Sequence, residues 1–151
     1  MIVIHHNPEC GTSRNTLKII QDAGITPVVI DYLTEGWSRA QLLALFAAAD
    51  LTPKTALRTS KSPAQALGLL DEKITDDEIL EAMLIHPILV NRPIVCSPKG
   101  VKLCRPSEQV LDLLDLWPEG PYYKEDGEMI LDEQGKKSIE KTELIAFFHV
   151  L

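Results

Sequence analysis

The N-terminal stretch constrains this chain most, because two periodicities alternate within it. Residues 2–5 form a short apolar run that predicts a first strand, and Asn7-Pro8 breaks it. Residues 12–23 carry Leu17, Ile19, Ile20 and Ala23 at helical spacing and close on Gly24. Residues 27–32, with Val28, Val29 and Ile30, then predict a second, buried strand. Strand, helix and strand within about thirty residues have the size of a βαβ unit.

The pattern changes downstream. Ser38 and Gln41 have capping-box spacing ahead of Leu42, Leu43, Leu45 and Phe46, which predicts a helix over 38–49. Thr75 and Glu78 repeat that spacing, with Asp76 and Asp77 in the first turn, for a helix over 75–86. Residues 51–73 between them read as irregular, with short helical turns. Residues 94–97 and 101–104 predict two strands joined by Pro98-Lys99-Gly100. Residues 106–114 predict a helix with proline at its first position. From 117 the chain turns polar, with a possible strand at 130–132 and an apolar end at 144–151 expected to pack back. The order β-α-β, helical insertion (about 38–86), β-β-α is that of an α/β thioredoxin-like fold: one mixed four-stranded sheet with flanking helices. The length of 151 residues suits a single domain with a polar C-terminal tail from about 117.

Composition narrows the partners. The net charge is −7, so long-range attraction to nucleic acid or an anionic membrane is not expected. A site for an anion must then be positive locally. Residues 1–5 lack the basic start and the length of a signal sequence, no apolar run spans a bilayer, and cytoplasm is the expected compartment. The three cysteines show no framework spacing and read as free thiols.

Cys10 lies in a polar turn directly before a helix, where backbone N–H groups and the dipole favour an anion. A thiolate is such an anion, so its pKa should fall. A small buried filler is the alternative, but Cys10 sits outside any apolar run, and we read it as a reactive nucleophile. Cys96 and Cys104 sit inside apolar strands and read as core, with a resolving role the competing possibility. Ser13 stands three residues after Cys10, so the motif is C-x-x-S and no disulfide closes within the turn. His6, four residues before Cys10, is either an imidazolium supporting the thiolate or a histidine capping a strand end. His5, His86 and His149 show no ligand spacing, and no metal or bound cofactor is expected.

Three arginines occupy unusual places. Arg105 precedes Pro106 at a helix start, where the dipole opposes a cation. Arg92 precedes Pro93 just before a strand, where a thioredoxin-like fold would put a cis bond facing the nucleophile. Arg58 lies in the irregular insertion. Each alone reads as a surface arginine; together, three guanidinium forks suit a tetrahedral oxyanion. Spacing does not say whether they converge.

The segment His6-Asn7-Pro8-Glu9-Cys10-Gly11-Thr12-Ser13-Arg14-Asn15-Thr16-Leu17 resembles the active-site segment of the glutaredoxin-linked arsenate reductases. His86-Pro87-Ile88-Leu89-Val90-Asn91-Arg92-Pro93-Ile94 and Leu103-Cys104-Arg105-Pro106-Ser107-Glu108 resemble the same family. The similarity runs from Met1 to about Gly135. The resemblance implies a thioredoxin-like fold and the reduction of arsenate to arsenite. It implies Cys10 as nucleophile, His6 linked to its ionisation, and Arg58, Arg92 and Arg105 as oxyanion ligands. Glutathione would be the co-substrate and glutaredoxin the protein partner. Two other readings compete. One is a regulator of this fold that binds RNA polymerase, which would commonly carry C-x-x-C and need no oxyanion arginines. The other is a thiol reductase for another substrate.

Overall fold

A computed structural model describes residues 1–138 of the chain. The elements run β1 (Val3–His6), α1 (Gly11–Asp22), β2 (Val28–Asp31), α2 (Tyr32–Glu35), α3 (Arg39–Ala48), α4 (Pro53–Ala56) and α5 (Asp76–Ile85). A 3-10 turn (Pro87–Leu89) leads into β3 (Ile94–Ser97) and β4 (Gly100–Leu103). A longer 3-10 helix (Ser107–Leu113) precedes the hairpin β5 (Tyr122–Tyr123) and β6 (Met129–Leu131). The expectation for residues 144–151, and that for His149, lies outside the described residues.

The sheet order is β2-β1-β3-β4, with β1 parallel to β2 and antiparallel to β3, and β3 antiparallel to β4. This is the predicted mixed four-stranded, thioredoxin-like sheet. Alternation along the strands divides two cores. Ile94 faces a cluster with Tyr32, Trp37, Leu42, Phe46, Ile79, Leu80 and Met83 from α2, α3, α5 and their links. Ile4 and Val95 face Ile19 and Ile20 of α1, and Val110 and Leu111 of the longer 3-10 helix. The helical insertion thus covers one face of the sheet, and α1 with the C-terminal elements covers the other.

Local signals fared unevenly. Ser38 and Gln41 form the full capping box. Thr75 accepts the N–H of Glu78, but the Glu78 carboxylate turns to the Thr75 hydroxyl rather than to its backbone. Two expectations are corrected. The second strand is not buried: Val28 and Val29 are 45% and 46% exposed. β-branched residues signal a strand, yet β2 is an edge strand, and position in the sheet is not written in the run itself. The segment after Pro106 is a 3-10 helix rather than an α-helix, and Pro106 is its extended N-cap (φ −68°, ψ 166°) instead of its first residue. Ser107, Val110 and Leu113 are all buried. Their spacing of three places them on one face only at three residues per turn.

This arrangement ranks positions by stability. Leu111→Ala should lower the unfolding free energy by about 2–5 kcal/mol, the cost of a cavity in a closed core. Val29→Thr on the exposed edge should stay within about 0.5 kcal/mol. Urea denaturation of both variants checks the ordering.

Candidate active site

β1 ends at His6, and the chain crosses Asn7-Pro8 to reach α1. The Asn7 carboxamide accepts the Glu9 N–H at 3.0 Å, and the Asn7 carbonyl accepts the Cys10 N–H at 3.1 Å, which folds the loop into a tight turn. Cys10 is the N-cap of α1, with extended backbone and 6% exposure. No acidic residue occupies the first turn of α1. Burial raises the Cys10 pKa. The Ser13 N–H, the Arg92 charge, the Arg105 hydrogen bond and the Thr12 N–H oppose it, and the net shift is downward.

Topology brings the arginines to this loop. β3 begins beside the end of β1, with His5 opposite Ile94, and β4 ends beside β3, with Leu103 opposite Ile94. Arg92 just before β3 and Arg105 just after β4 therefore share the end of the sheet where Cys10 sits. Arg105 Nη1 donates to Cys10 Sγ at 3.7 Å and to the Arg92 carbonyl at 3.2 Å. Arg92 donates through its backbone N–H and Nη1 to the Asn91 carboxamide oxygen, each at 3.2 Å. The Arg92–Pro93 peptide is cis, as anticipated from its place in the fold, and so is Arg105–Pro106.

Arg58 arrives by another route. The Arg58 N–H donates to the Leu89 carbonyl at 2.8 Å, the Asn91 N–H donates to the Ala56 carbonyl at 2.8 Å, and Leu57 bridges Val90. This short pairing sets the insertion against the strand leader that carries Arg92. Burial lowers the Arg58 pKa, and the charges of Arg92 and Arg105 press in the same direction. Arg105 thus touches the thiol, Arg92 acts on it through its charge, and Arg58 lies within charge range of all three, in a chain that is acidic overall.

His6 takes a different position from a bare cation beside sulfur. Its Nδ1 lies 2.6 Å from Ser13 Oγ, which also accepts the Asn7 N–H at 3.0 Å. Ser13 is fully buried. Burial lowers the His6 pKa, partly offset by the Asp31 carboxylate, so the imidazole is biased toward its neutral form. His6 is therefore tied to the loop through Ser13.

The other thiols are placed apart. Cys96 packs against the core under the insertion, Cys104 lies in the core under α1, and burial raises both pKa values, that of Cys104 to about 12. Sequence reasoning missed Arg14. Its guanidinium donates to the Pro8 carbonyl at 3.0 Å and grips both Glu125 oxygens, at 2.8 and 3.3 Å. It also missed Asn91 as the group that orients Arg92. Neither carries a local signal, since each depends on a partner fixed by the fold. Among the described residues, no group of three or more His, Cys, Asp or Glu side chains is arranged to hold a metal.

Alkylation with iodoacetamide should report this field. A thiol held low is ionised above its own pKa, so modification should fall off only as pH drops below an inflection lying under the ordinary thiol value of about 8.5. Arg105→Ala should move the inflection up, whereas Cys96→Ser with Cys104→Ser should leave it in place. An inflection at or above the ordinary value in the parent protein would contradict the geometry.

Comparison with known proteins agrees with this frame. The ArsC family model matches residues 5–113. An arsenate reductase of Synechocystis sp., ArsI2, is 68% identical over 137 residues, covering 91% of this chain and 98% of the relative. An Escherichia coli arsenate reductase is 51% identical over 136 residues, covering 90% of this chain and 96% of the relative. The solved arsenate reductase from Vibrio cholerae superimposes with a TM-score of 0.70 at 38% identity, covering 75% of this chain and 97% of that one. Family model, fold and sequence identity agree, and the chain belongs to the ArsC family.

Proposed function

We propose that this protein is an arsenate reductase, with Cys10 as nucleophile, glutathione as co-substrate and glutaredoxin as protein partner. The observation that carries the proposal is the meeting of a low-pKa thiol with three arginines, one of them 3.7 Å from the sulfur. A lone nucleophilic thiol needs one stabilising cation. Three guanidinium groups at one place suit a second anion brought against the first.

The chemistry follows from that arrangement. Arg58, Arg92 and Arg105 hold the arsenate oxygens and offset its repulsion from the thiolate. The Cys10 sulfur attacks arsenic, an S–As bond forms, and one oxygen leaves as water after protonation. Arsenic is still pentavalent. Glutathione then displaces a second oxygen as water and adds a second S–As bond. A glutaredoxin thiolate attacks the glutathione sulfur, and that S–As electron pair falls to arsenic. The two outside sulfurs become a disulfide, arsenic becomes trivalent, and hydrolysis of the Cys10–arsenic bond releases arsenite. His6 and Ser13 hold the loop that presents the sulfur. No resident metal or cofactor enters these steps, and the work is assigned to the cytoplasm, where glutathione is reduced.

No helix among the described residues is long and apolar enough to cross a membrane. A polymerase-binding regulator with a local redox pair fits less well, because Ser13 occupies the second position of the motif.

Coupled turnover with arsenate, glutathione, glutaredoxin and a recycling reductase tests the proposal. Cys10→Ser should abolish activity, and the Cys96→Ser, Cys104→Ser double variant should retain most of it. Arg92→Ala should weaken arsenate use by about 1.5–3 kcal/mol, the worth of a charge-assisted hydrogen bond. Full turnover with thioredoxin alone, or loss of activity in a folded double variant, would overturn the monothiol mechanism.

A further inference from the structure

Resting on the reading just given, a thiol from outside must reach the arsenic held on Cys10. Ser13 cannot supply it, Cys104 is buried with a pKa near 12, and Cys96 packs into the opposite core. The arginine side of Cys10 is committed to the oxyanion. Beneath the loop lie Asn7, Ser13 and His6, all buried. One further side stays open.

There a cleft of about 270 Å³ opens at the start of α1, lined from Gly11 onward. One wall is the first turn of α1, with Gly11, Thr12 and Asn15. A second is Pro106 and Ser107 at the start of the longer 3-10 helix. The third is Lys124, Glu125 and Asp126, at the tip of the β5–β6 hairpin. Gly11 follows Cys10 and Pro106 follows Arg105, so the cleft starts one residue from the thiol and one from an oxyanion arginine. Its volume lies near the small end of ligand pockets, enough for one end of a small peptide.

The hairpin is pinned to α1 so that its tip keeps this place. Glu125 grips Arg14, the Glu125 N–H donates to Asn15 at 2.9 Å, and the Tyr122 hydroxyl donates to Asp22 at 2.7 Å. A Cβ on Gly11 would stand 3.1 Å from the Glu125 carboxylate, so a glycine there keeps this approach unstrained.

The charges decide what the cleft accepts. Asp126 makes no ion pair among the described residues, although it accepts the Glu128 N–H at 2.9 Å. Glu125 stands next to it. Glu125 is held by Arg14, so it is the Asp126 carboxylate that opposes a second arsenate and attracts an ammonium. Lys124 lies between Glu108 at 2.9 Å and Glu128 at 3.1 Å. An ammonium has three N–H donors, so one more acceptor can be met. Both signs within one small space match a zwitterion, and glutathione carries an ammonium and carboxylates on one flexible chain.

We propose that this cleft is the docking site of the peptide thiol, with Asp126 as partner of its ammonium and Lys124 and the Thr12 hydroxyl facing a carboxylate. The two co-substrates are then sorted by charge, with the oxyanion on the arginine side and the zwitterion on the hairpin side. Glutathione bound here can present its thiol to arsenic on Cys10, form the S–As bond and release oxygen as water.

Asp126→Asn keeps an oxygen for the Glu128 N–H and removes the charge. Steady-state turnover should show KM for glutathione raised about three- to tenfold, the range of a partly exposed to a charge-assisted pair, with KM for arsenate unmoved. Asp126→Lys should raise it further. S-methylglutathione, which cannot react, should shift the backbone amide resonances of Gly11, Thr12, Ser107 and Asp126 in the parent, and less in Asp126→Asn. If the shifts fall elsewhere and both variants keep the parental KM for glutathione, the cleft assignment is overturned. If the parent reduces no arsenate with glutathione and glutaredoxin, the proposed function fails, while the amide shifts still decide whether the cleft binds the peptide.

Discussion

Bringing an anion against a thiolate sets two negative charges within bonding distance, and at such range Coulomb repulsion outside bulk water amounts to several kcal/mol. In the proposed reaction, positive charge has to be gathered where they meet, and Arg105 and Arg92 beside Cys10 would supply it. The chain carries seven more acidic than basic residues, so the field around Cys10 runs against the average of the surface. Burial lowers the pKa of Arg58 most, and repulsion from Arg92 and Arg105 lowers it further. The three are tolerated because each is tied by its backbone to a different rigid part: Arg92 to the strand leader, Arg105 to the end of β4, and Arg58 to the insertion bridged against residues 89–91. Cys10 itself is a negative neighbour that helps to hold them.

The Cys10 loop is held from beneath as well. Ser13 takes the place a second cysteine would hold in a C-x-x-C loop, and its hydroxyl is not idle. It joins the Asn7 backbone to the His6 ring at the point where β1 passes into α1. That junction is buried, so its hydrogen bonds are protected from water and keep the loop in one geometry. The result is a sulfur fixed at the N-cap of α1, with the Ser13 and Thr12 N–H groups and the Arg105 guanidinium converging on it.

The elements after the sheet extend this frame. The β5–β6 hairpin adds no strand to the main sheet, yet it reaches back across α1 and sets Glu125 against Arg14. The salt bridge is about half exposed and contributes little stability by itself. Its consequence is positional, because it brings an acidic edge within a residue of the thiol. The insertion plays the matching part on the other side by delivering Arg58.

Much of the fold was legible in the sequence because its signals are short-range. The change of period between residues 2 and 32, the Ser38 capping box and the Pro98-Lys99 hairpin act within a few residues of themselves. Cys10 was legible for the same reason, as a cysteine in a polar turn before a helix. The exposure of β2, the 3-10 winding after Pro106 and the neutral bias of His6 were not, because each is decided by what packs against it. The sequence by itself determined which residues could do the chemistry: one thiol at a helix start and three arginines in places that a solvated charge does not favour. Only the tertiary structure decided that they meet. Arg92 and Arg105 reach Cys10 through the register of β1, β3 and β4, and Arg14 reaches Glu125 across 111 residues of chain. Such contacts depend on long-range pairing, which no local pattern of residues encodes.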